Sequence, residues 1–347
     1  GLTMLPPDVN AAEYRFVPLD TKSIRYGLGA IKGTGEGAIN HIIDERTRNG
    51  PFRDLFDFCH RVDKRIVNRR TVESLVRAGA FDAINDHRAS LLASVGIALE
   101  SAEQASRAVN QVSLFGGFEE PGAAVSLVDV PQWTDLVKLQ HEKSALGFYL
   151  SGHPFRTYEP ELRSFISTRL DQIAPQPHPV LLAGIMHSLR IQMTRRGRMA
   201  VVLLDDGKAR IELTVFNELF EQHRHWLKED QLLIVEGKVT HDEFSGSIRI
   251  EAKAVLDLQT ARNRYARGLR ITCNGSSSGM KLKEVLQPYC SGKCPVQVVY
   301  NKAGASCAID LGEQWRVNLH DELIESLAQW VKPENVQIVY QPAALYS

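Results

Sequence analysis

The sequence carries no excess of charge of either sign: 41 Lys and Arg stand against 41 Asp and Glu in 347 residues. That balance excludes a uniformly basic coat for nucleic acid. It does not exclude local basic patches, because affinity for phosphates depends on where the charges sit. Long apolar runs are also missing. None reaches the roughly 18–20 residues of a membrane-spanning helix, so no membrane partner is expected. The segment from Gly1 to Phe16 lacks the basic, apolar, small-residue order of a signal peptide. Cysteine is scarce, and the five present are scattered. They argue against a disulfide framework and for a reducing cytoplasm. Position 1 is Gly rather than Met, so the chain is expected to be a fragment whose start lies upstream.

What is present is ordinary folding material, 44% hydrophobic and 24% charged. The length suggests two or three domains. The texture changes along the chain. A helical pattern with glycine turns runs to about Val109. A Gly-, Pro- and Ala-rich stretch follows to about Val130. Helical pattern resumes from Trp133 to Leu170 and ends in a proline-rich boundary at Pro175, Pro177 and Pro179. Alternating apolar and polar residues then mark strands to Leu258. An Arg-rich bridge (Arg262, Arg264, Arg267, Arg270) leads into mixed strands and helices. The expected fold class is therefore multidomain: an all-α helix-hairpin-helix region, a five-stranded β-barrel of the OB type, and a small α+β C-terminal domain.

The first chemical signal is Ile31-Lys32-Gly33-Thr34-Gly35, flanked by helix formers. Glycines permit the tight turn. They also let the amides at the next helix start approach a phosphate, and Lys32 adds charge. The plainer alternative is an ordinary glycine-rich turn. A second turn, Arg77-Ala78-Gly79-Ala80-Phe81, places Gly79 where a hairpin glycine would sit. Between the turns, Arg61, Lys64, Arg65, Arg69 and Arg70 face a single acid, Asp63. Paired hairpins of this kind can hold the two backbones of a duplex without reading sequence. The plainer reading of the basic run is a solvated helix face. Phe52, Leu55, Phe56, Phe58, Ile84, Leu91, Leu92 and Val95 fall at helical spacing and are expected in the core.

Gln111-Val112-Ser113-Leu114-Phe115 opens the glycine-rich zone. A Leu-Phe pair in a linker has no domain core of its own, and a linear motif that inserts it into a partner's pocket explains it. The pattern matches the pentapeptide by which bacterial proteins dock onto the replication sliding clamp. Folding back onto the preceding helices is the alternative.

Five strands, Val180–Arg190, Met199–Leu204, Arg210–Phe216, Leu232–Val239 and Ser247–Val255, with a helical stretch after the third, fit an OB barrel. Asp205-Asp206-Gly207 reads as a hairpin turn rather than a metal site, since no third carboxylate accompanies the pair. Arg195, Arg196, Arg198 and Phe244 lie in the two loops by which such barrels often bind single strands through charge and stacking. A structural or protein-binding barrel is the alternative. Cys290 and Cys294 lack a second tightly spaced ligand pair, so no metal is assigned.

Several motifs together resemble the C-terminal half of the alpha subunit of bacterial DNA polymerase III, in its replicative form. They are Leu5–Asn10 (LPPDVN), Tyr26–Ile39 (YGLGAIKGTGEGAI), Asn68–Arg70 (NRR), Arg77–Phe81 (RAGAF), Gly147–Pro154 (GFYLSGHP) and Tyr265–Leu269 (YARGL). The resemblance implies six regions: the end of the fingers (1–23), a tandem helix-hairpin-helix duplex-binding domain (24–109), a linker with the clamp motif (110–132), a helical connector (133–178), the OB-fold (179–258), and an α+β domain that binds the tau subunit of the clamp loader (259–347). Lys32, Gly33, Thr34, Gly35, Arg65, Arg69, Arg70 and Gly79 are then expected on duplex DNA. Gln111, Val112, Ser113, Leu114 and Phe115 are expected on the clamp, and Arg195, Arg196, Arg198 and Phe244 on single-stranded DNA. The family's chemistry uses palm carboxylates holding two metal ions. No such acidic trio is recognisable here, nor the His-rich N-terminal domain, so catalytic residues and Mg²⁺ are expected upstream and this segment is expected to be inactive alone. The alternative is a non-replicative scaffold for repair built from hairpin and OB modules, which would lack those upstream carboxylates.

Overall fold

The computed structural model describes residues 2–107, 126–166, 168–194, 197–241, 248–274, 278–302 and 305–340, and over 108–115 the backbone alone. The chain divides into two compact units, Gly1–Pro154 and Phe155–Ser347.

The first unit is mainly helical, but it opens with strands where the sequence pattern suggested helix. β1 (Thr3–Leu5), β2 (Val17–Pro18) and β3 (Ser23–Arg25) form a small sheet in the order β1-β3-β2. A 3-10 turn at Leu28–Ala30 leads through the first glycine turn into α1 (Glu36–Asn49). There follow α2 (Leu55–Arg61), capped by Asp54, and α3 (Arg69–Arg77), capped by Asn68. Next come α4 (Arg88–Phe115) and α5 (Asp135–Leu146). Phe52, Leu55, Phe58, Leu91 and Val95 are buried, and Phe56, Ile84 and Leu92 pack against them. These are the core positions that helical spacing indicates. The same cluster takes in Ala145 and Leu146 of α5. Leu127 also packs against it, and the Val128 amide donates to Ser94 Oγ of α4 at 2.8 Å. Leu127 and Val128, ahead of α5, therefore pack on the same core as α4.

The second unit begins with α6 (Phe155–Leu162). Five strands then close a barrel in the order β4-β5-β6-β8-β7: β4 (Val180–Thr194), β5 (Gly197–Asp205), β6 (Arg210–Val215), β7 (Leu232–His241) and β8 (Ile248–Leu256). α7 (Asn217–His223) lies between β6 and β7. Alternation puts Leu182, Val202, Leu204, Leu213, Leu233, Val235 and Ile250 inside. At the β5–β6 turn, Gly207 has φ +81°. Asp205 Oδ1 accepts the Gly207 amide at 2.7 Å, and Asp206 Oδ1 accepts those of Lys208 and Ala209. Asp205 also takes Arg210 Nε at 2.6 Å. These carboxylates serve the turn.

After α8 (Leu258–Tyr265), the C-terminal α+β region forms a four-stranded sheet, β11-β10-β9-β12. Its strands are β9 (Ala266–Asn274), β10 (Val296–Lys302), β11 (Ala305–Asp310) and β12 (Val336–Tyr340). α9 (Gly279–Leu286) and α10 (Asp321–Val331) supply Leu286, Leu323 and Leu327 to its core. Arg262 of the Arg-rich bridge turns inward, its guanidinium gripping both oxygens of Glu161 at 2.7 and 2.8 Å and also bonding Asp321. Tyr340 donates to the same Glu161. One buried cation thus ties α6, α8, α10 and β12 together.

Candidate nucleic-acid interface

The first turn is open. Gly33 has φ +87°, a conformation that a side chain resists. The Thr34 hydroxyl bonds the Leu28 and Ile31 carbonyls, at 3.0 and 2.7 Å. Thr34 therefore shapes the hairpin from within. Gly35 is the N-cap of α1. It makes no side-chain cap bond, and its missing Cβ faces open space. The first amides of α1 are left to solvent or to an anion. Lys32 and Gly33 are exposed.

Asn68 starts α3 by accepting the Thr71 amide at 3.0 Å. The next two residues, Arg69 and Arg70, then fall in the first helical turn, where the helix dipole disfavours cations. Arg69 relieves this through Glu73, 2.8 Å away. Arg70 leans the other way: a Cβ built on Gly33 would lie 3.5 Å from Arg70 Nε. Among the described residues neither Lys32 nor Arg70 has an acidic partner. Two open cations thus meet at one glycine turn, beside an uncapped helix start.

The rest of the basic run is neutralised by acids, some near in sequence and some distant. Arg61 is structural: it bonds Glu45 at 3.1 Å, Asp57 at 3.2 Å and the Gly50 carbonyl at 2.7 Å, and lies 4.4 Å over the Phe52 ring. Lys64 pairs with Glu103 at 3.0 Å. Arg65 donates to both oxygens of Asp63, and these hydrogen bonds hold the Asp63 carboxyl down at about 2. Exposed pairs of this kind are weak, so a phosphate can compete for Arg65 or Arg69.

The second turn is closed. Gly79 has φ +82° and is buried. A Cβ there would lie 2.2 Å from Arg88 Nη2. The guanidinium that fills the turn grips Asp82 at 2.7 and 2.6 Å and Glu142 at 3.0 Å. Burial works against the Arg88 charge, but the hydrogen bonds and fields of Asp82 and Glu142 outweigh it and raise its pKa. The space in front of Gly79 is thus occupied by the Arg88 guanidinium.

α4 continues through Phe115, so the backbone of Gln111, Val112, Ser113, Leu114 and Phe115 ends that helix. Their side chains lie outside the described residues.

On the barrel, Arg195, Arg196 and Phe244 also lie outside the described residues, whereas Arg198 is exposed at the start of β5, 3.3 Å from Glu221. It borders a cleft of about 760 Å³ whose walls include Phe216 and Asn217. Sequence reasoning missed the cleft's other cations, Lys238 on β7 and Arg249 and Lys253 on β8. The signal was available in the alternation of Lys238 with buried Val239, and of Arg249 and Lys253 with buried Ile250 and Ala252. Glu251 neutralises Lys253, while Lys238 and Arg249 have no acidic partner among the described residues. Cys290 Sγ bonds the Leu286 carbonyl, and burial pushes the Cys294 thiol up to about 11.

Fold and site define a class: a chain assembled from helix-hairpin-helix and OB modules, with open cations gathered at a glycine turn and in a barrel cleft. Comparison with known families agrees. A helix-hairpin-helix motif profile matches residues 1–91, and an OB-fold nucleic acid binding domain profile matches 180–258. The profile of the DNA polymerase III subunit alpha C-terminal domain matches 281–331. The chain is 38% identical to DNA polymerase III subunit alpha of Vibrio cholerae, over 98% of its own length and 30% of the relative's. To the same subunit of Neisseria meningitidis serogroup B it is 40% identical, over 97% of its length and 30% of the relative's. Among solved structures, the mitochondrial single-stranded DNA binding protein Rim1 of S. cerevisiae is 16% identical, covering 23% of this chain and 93% of its own, at a TM-score of 0.21. That score is too low to argue from. The chain belongs to the DNA polymerase III alpha subunit family and spans about 30% of the length of the relatives it matches. Among the described residues, no helix is long and apolar enough to cross a membrane.

Proposed function

We propose that this chain is the DNA-gripping and partner-docking part of a replicative DNA polymerase working in the cytoplasm. The observation that carries the reading is the convergence of Lys32 and Arg70 on the open Gly33 turn, while the neighbouring cations are neutralised. An uncapped helix start with two unpaired cations beside it suits a phosphate of the duplex backbone. Lys238, Arg249 and Arg198 give the barrel cleft a cationic track suited to single-stranded template. Gln111–Phe115 serves as the sliding-clamp peptide and the C-terminal α+β region as the dock for the clamp loader's tau subunit. Nucleotidyl transfer belongs to palm carboxylates elsewhere in the full-length subunit.

The mechanism is processivity by linkage. A sequence-neutral grip and a weak peptide contact are each easily released. Joined in one chain, they hold together because the second contact forms at high effective concentration. Leu114→Ala with Phe115→Ala is expected to abolish clamp binding and to leave duplex affinity within about twofold. Equal loss of both, measured side by side by surface plasmon resonance, would contradict the linear-peptide reading.

A further inference from the structure

We infer that Glu142 is a positioning residue for the Gly33 hairpin, holding Lys32 in place through α5. The inference rests on the reading that Lys32 contacts duplex DNA.

Glu142 is fully buried, yet it reaches groups from distant parts of the unit. Its Oε1 accepts Arg88 Nη1 at 3.0 Å, and its Oε2 accepts the amides of Leu150 and Ser151 at 3.1 and 2.9 Å. Arg88 Nη1 also reaches the Arg77 carbonyl that ends α3, at 3.3 Å. One carboxylate therefore fixes α5 and the segment after it against α3, α4 and the Gly79 turn.

α5 in turn holds the first hairpin. Ala145 O, in its last turn, accepts the Lys32 amide at 2.8 Å. α5 then stops at Gly147, φ +92°, where a Cβ would lie 3.4 Å from both Lys32 Cε and Nζ. The Lys32 side chain runs along that bare glycine. Phe148 meets Tyr26, just before the hairpin, at 5.8 Å between ring centroids. The chain that returns after the clamp peptide thus forms one wall of the duplex grip.

The test uses the full 347-residue chain and the substitution Glu142→Gln, which keeps shape and an acceptor but removes the charge. Hydrogen exchange reads position without DNA. The Lys32 amide is expected to exchange about tenfold faster, while Ile39 and Ile42 in α1 and Val202 in the barrel keep their protection. In parallel, duplex binding is expected to weaken about fivefold and its salt slope to fall by about one. Unchanged exchange at Lys32, or an equal rise at Ile39 and Ile42, would overturn the inference. The latter would reduce Glu142 to general support of the unit. Faster exchange at Lys32 with wild-type duplex affinity would support the positioning role and overturn the duplex reading. Gly147→Ala, which crowds Lys32 without touching Glu142, is expected to show the same pattern and decides the matter should Glu142→Gln not fold.

Discussion

At Gly33 and Gly79 the backbone adopts nearly the same left-handed conformation, φ +87° and +82°. Each glycine lies in a short turn of one helical unit, and each reads in the sequence as a hairpin glycine. Their surroundings are opposite. At Gly33 a Cβ would meet only the Ser74 hydroxyl and the exposed Arg70 side chain, and Arg70 has no acid beside it among the described residues. At Gly79 the space is taken by the Arg88 guanidinium, already bonded to Asp82 and Glu142. The glycine specifies the turn in both places. Whether the turn can take a ligand depends on what occupies the volume in front of it, and at Gly79 one of that occupant's two acidic partners is 54 residues away in sequence.

The comparison breaks most readily at the closed turn. Gly79→Ala adds left-handed strain of about 1–2 kcal/mol and pushes Arg88 out of a buried ion pair, a class of damage that costs about 3–5 kcal/mol. Chemical denaturation is expected to show destabilisation of several kcal/mol. Gly33→Ala carries the same strain but meets only the Ser74 hydroxyl at 3.1 Å and the Arg70 side chain at 3.5 Å, so its cost should stay near about 1–2 kcal/mol. Equal costs for the two variants would refute the distinction between a turn filled by a bonded guanidinium and one bordered by side chains that can give way.

A smaller effect sharpens it. His141 of α5 stacks on Trp133 at 4.0 Å. Burial, then the fields of Arg77 and Arg88, lowers its pKa from the ordinary 6.5. Because the folded value lies below the unfolded one, the native state disfavours the imidazolium. The associated stability is present above about pH 6.5 and is lost as pH falls from there toward the folded value. A melting series from pH 7.5 to 5 should show this slope in the wild type and a reduced one in His141→Gln. No change of slope would mean that the cations around the second turn do not reach His141.

Local patterns were legible in the sequence. Alternation located all five barrel strands, because side-chain direction in a strand follows from the residue count alone. Gly33 was legible as a turn because glycine tolerates the left-handed backbone found there. What sequence could not show was which charges cancel. Arg61, Lys64, Arg65 and Arg69 read as one basic run, yet Glu45, Asp57, Glu103, Asp63 and Glu73 neutralise them in the fold. Arg262 read as part of an Arg-rich bridge and is buried on Glu161. Conversely, Lys238 and Arg249, to which the sequence reading assigned no role, share one cleft. For Lys64 with Glu103 and Arg262 with Glu161, tertiary pairing decides, and it couples residues too far apart for any local pattern to record.

The central claim is that duplex phosphates are held at the first turn by the cations left unpaired there. The most direct measurement is the salt dependence of duplex binding for the wild type and for Lys32→Ala with Arg70→Ala. If both cations contact phosphates, the plot of log affinity against log salt loses about two units of slope, and affinity at low salt falls at least about tenfold, with stability unchanged. Wild-type slope and affinity in the double variant would contradict the account.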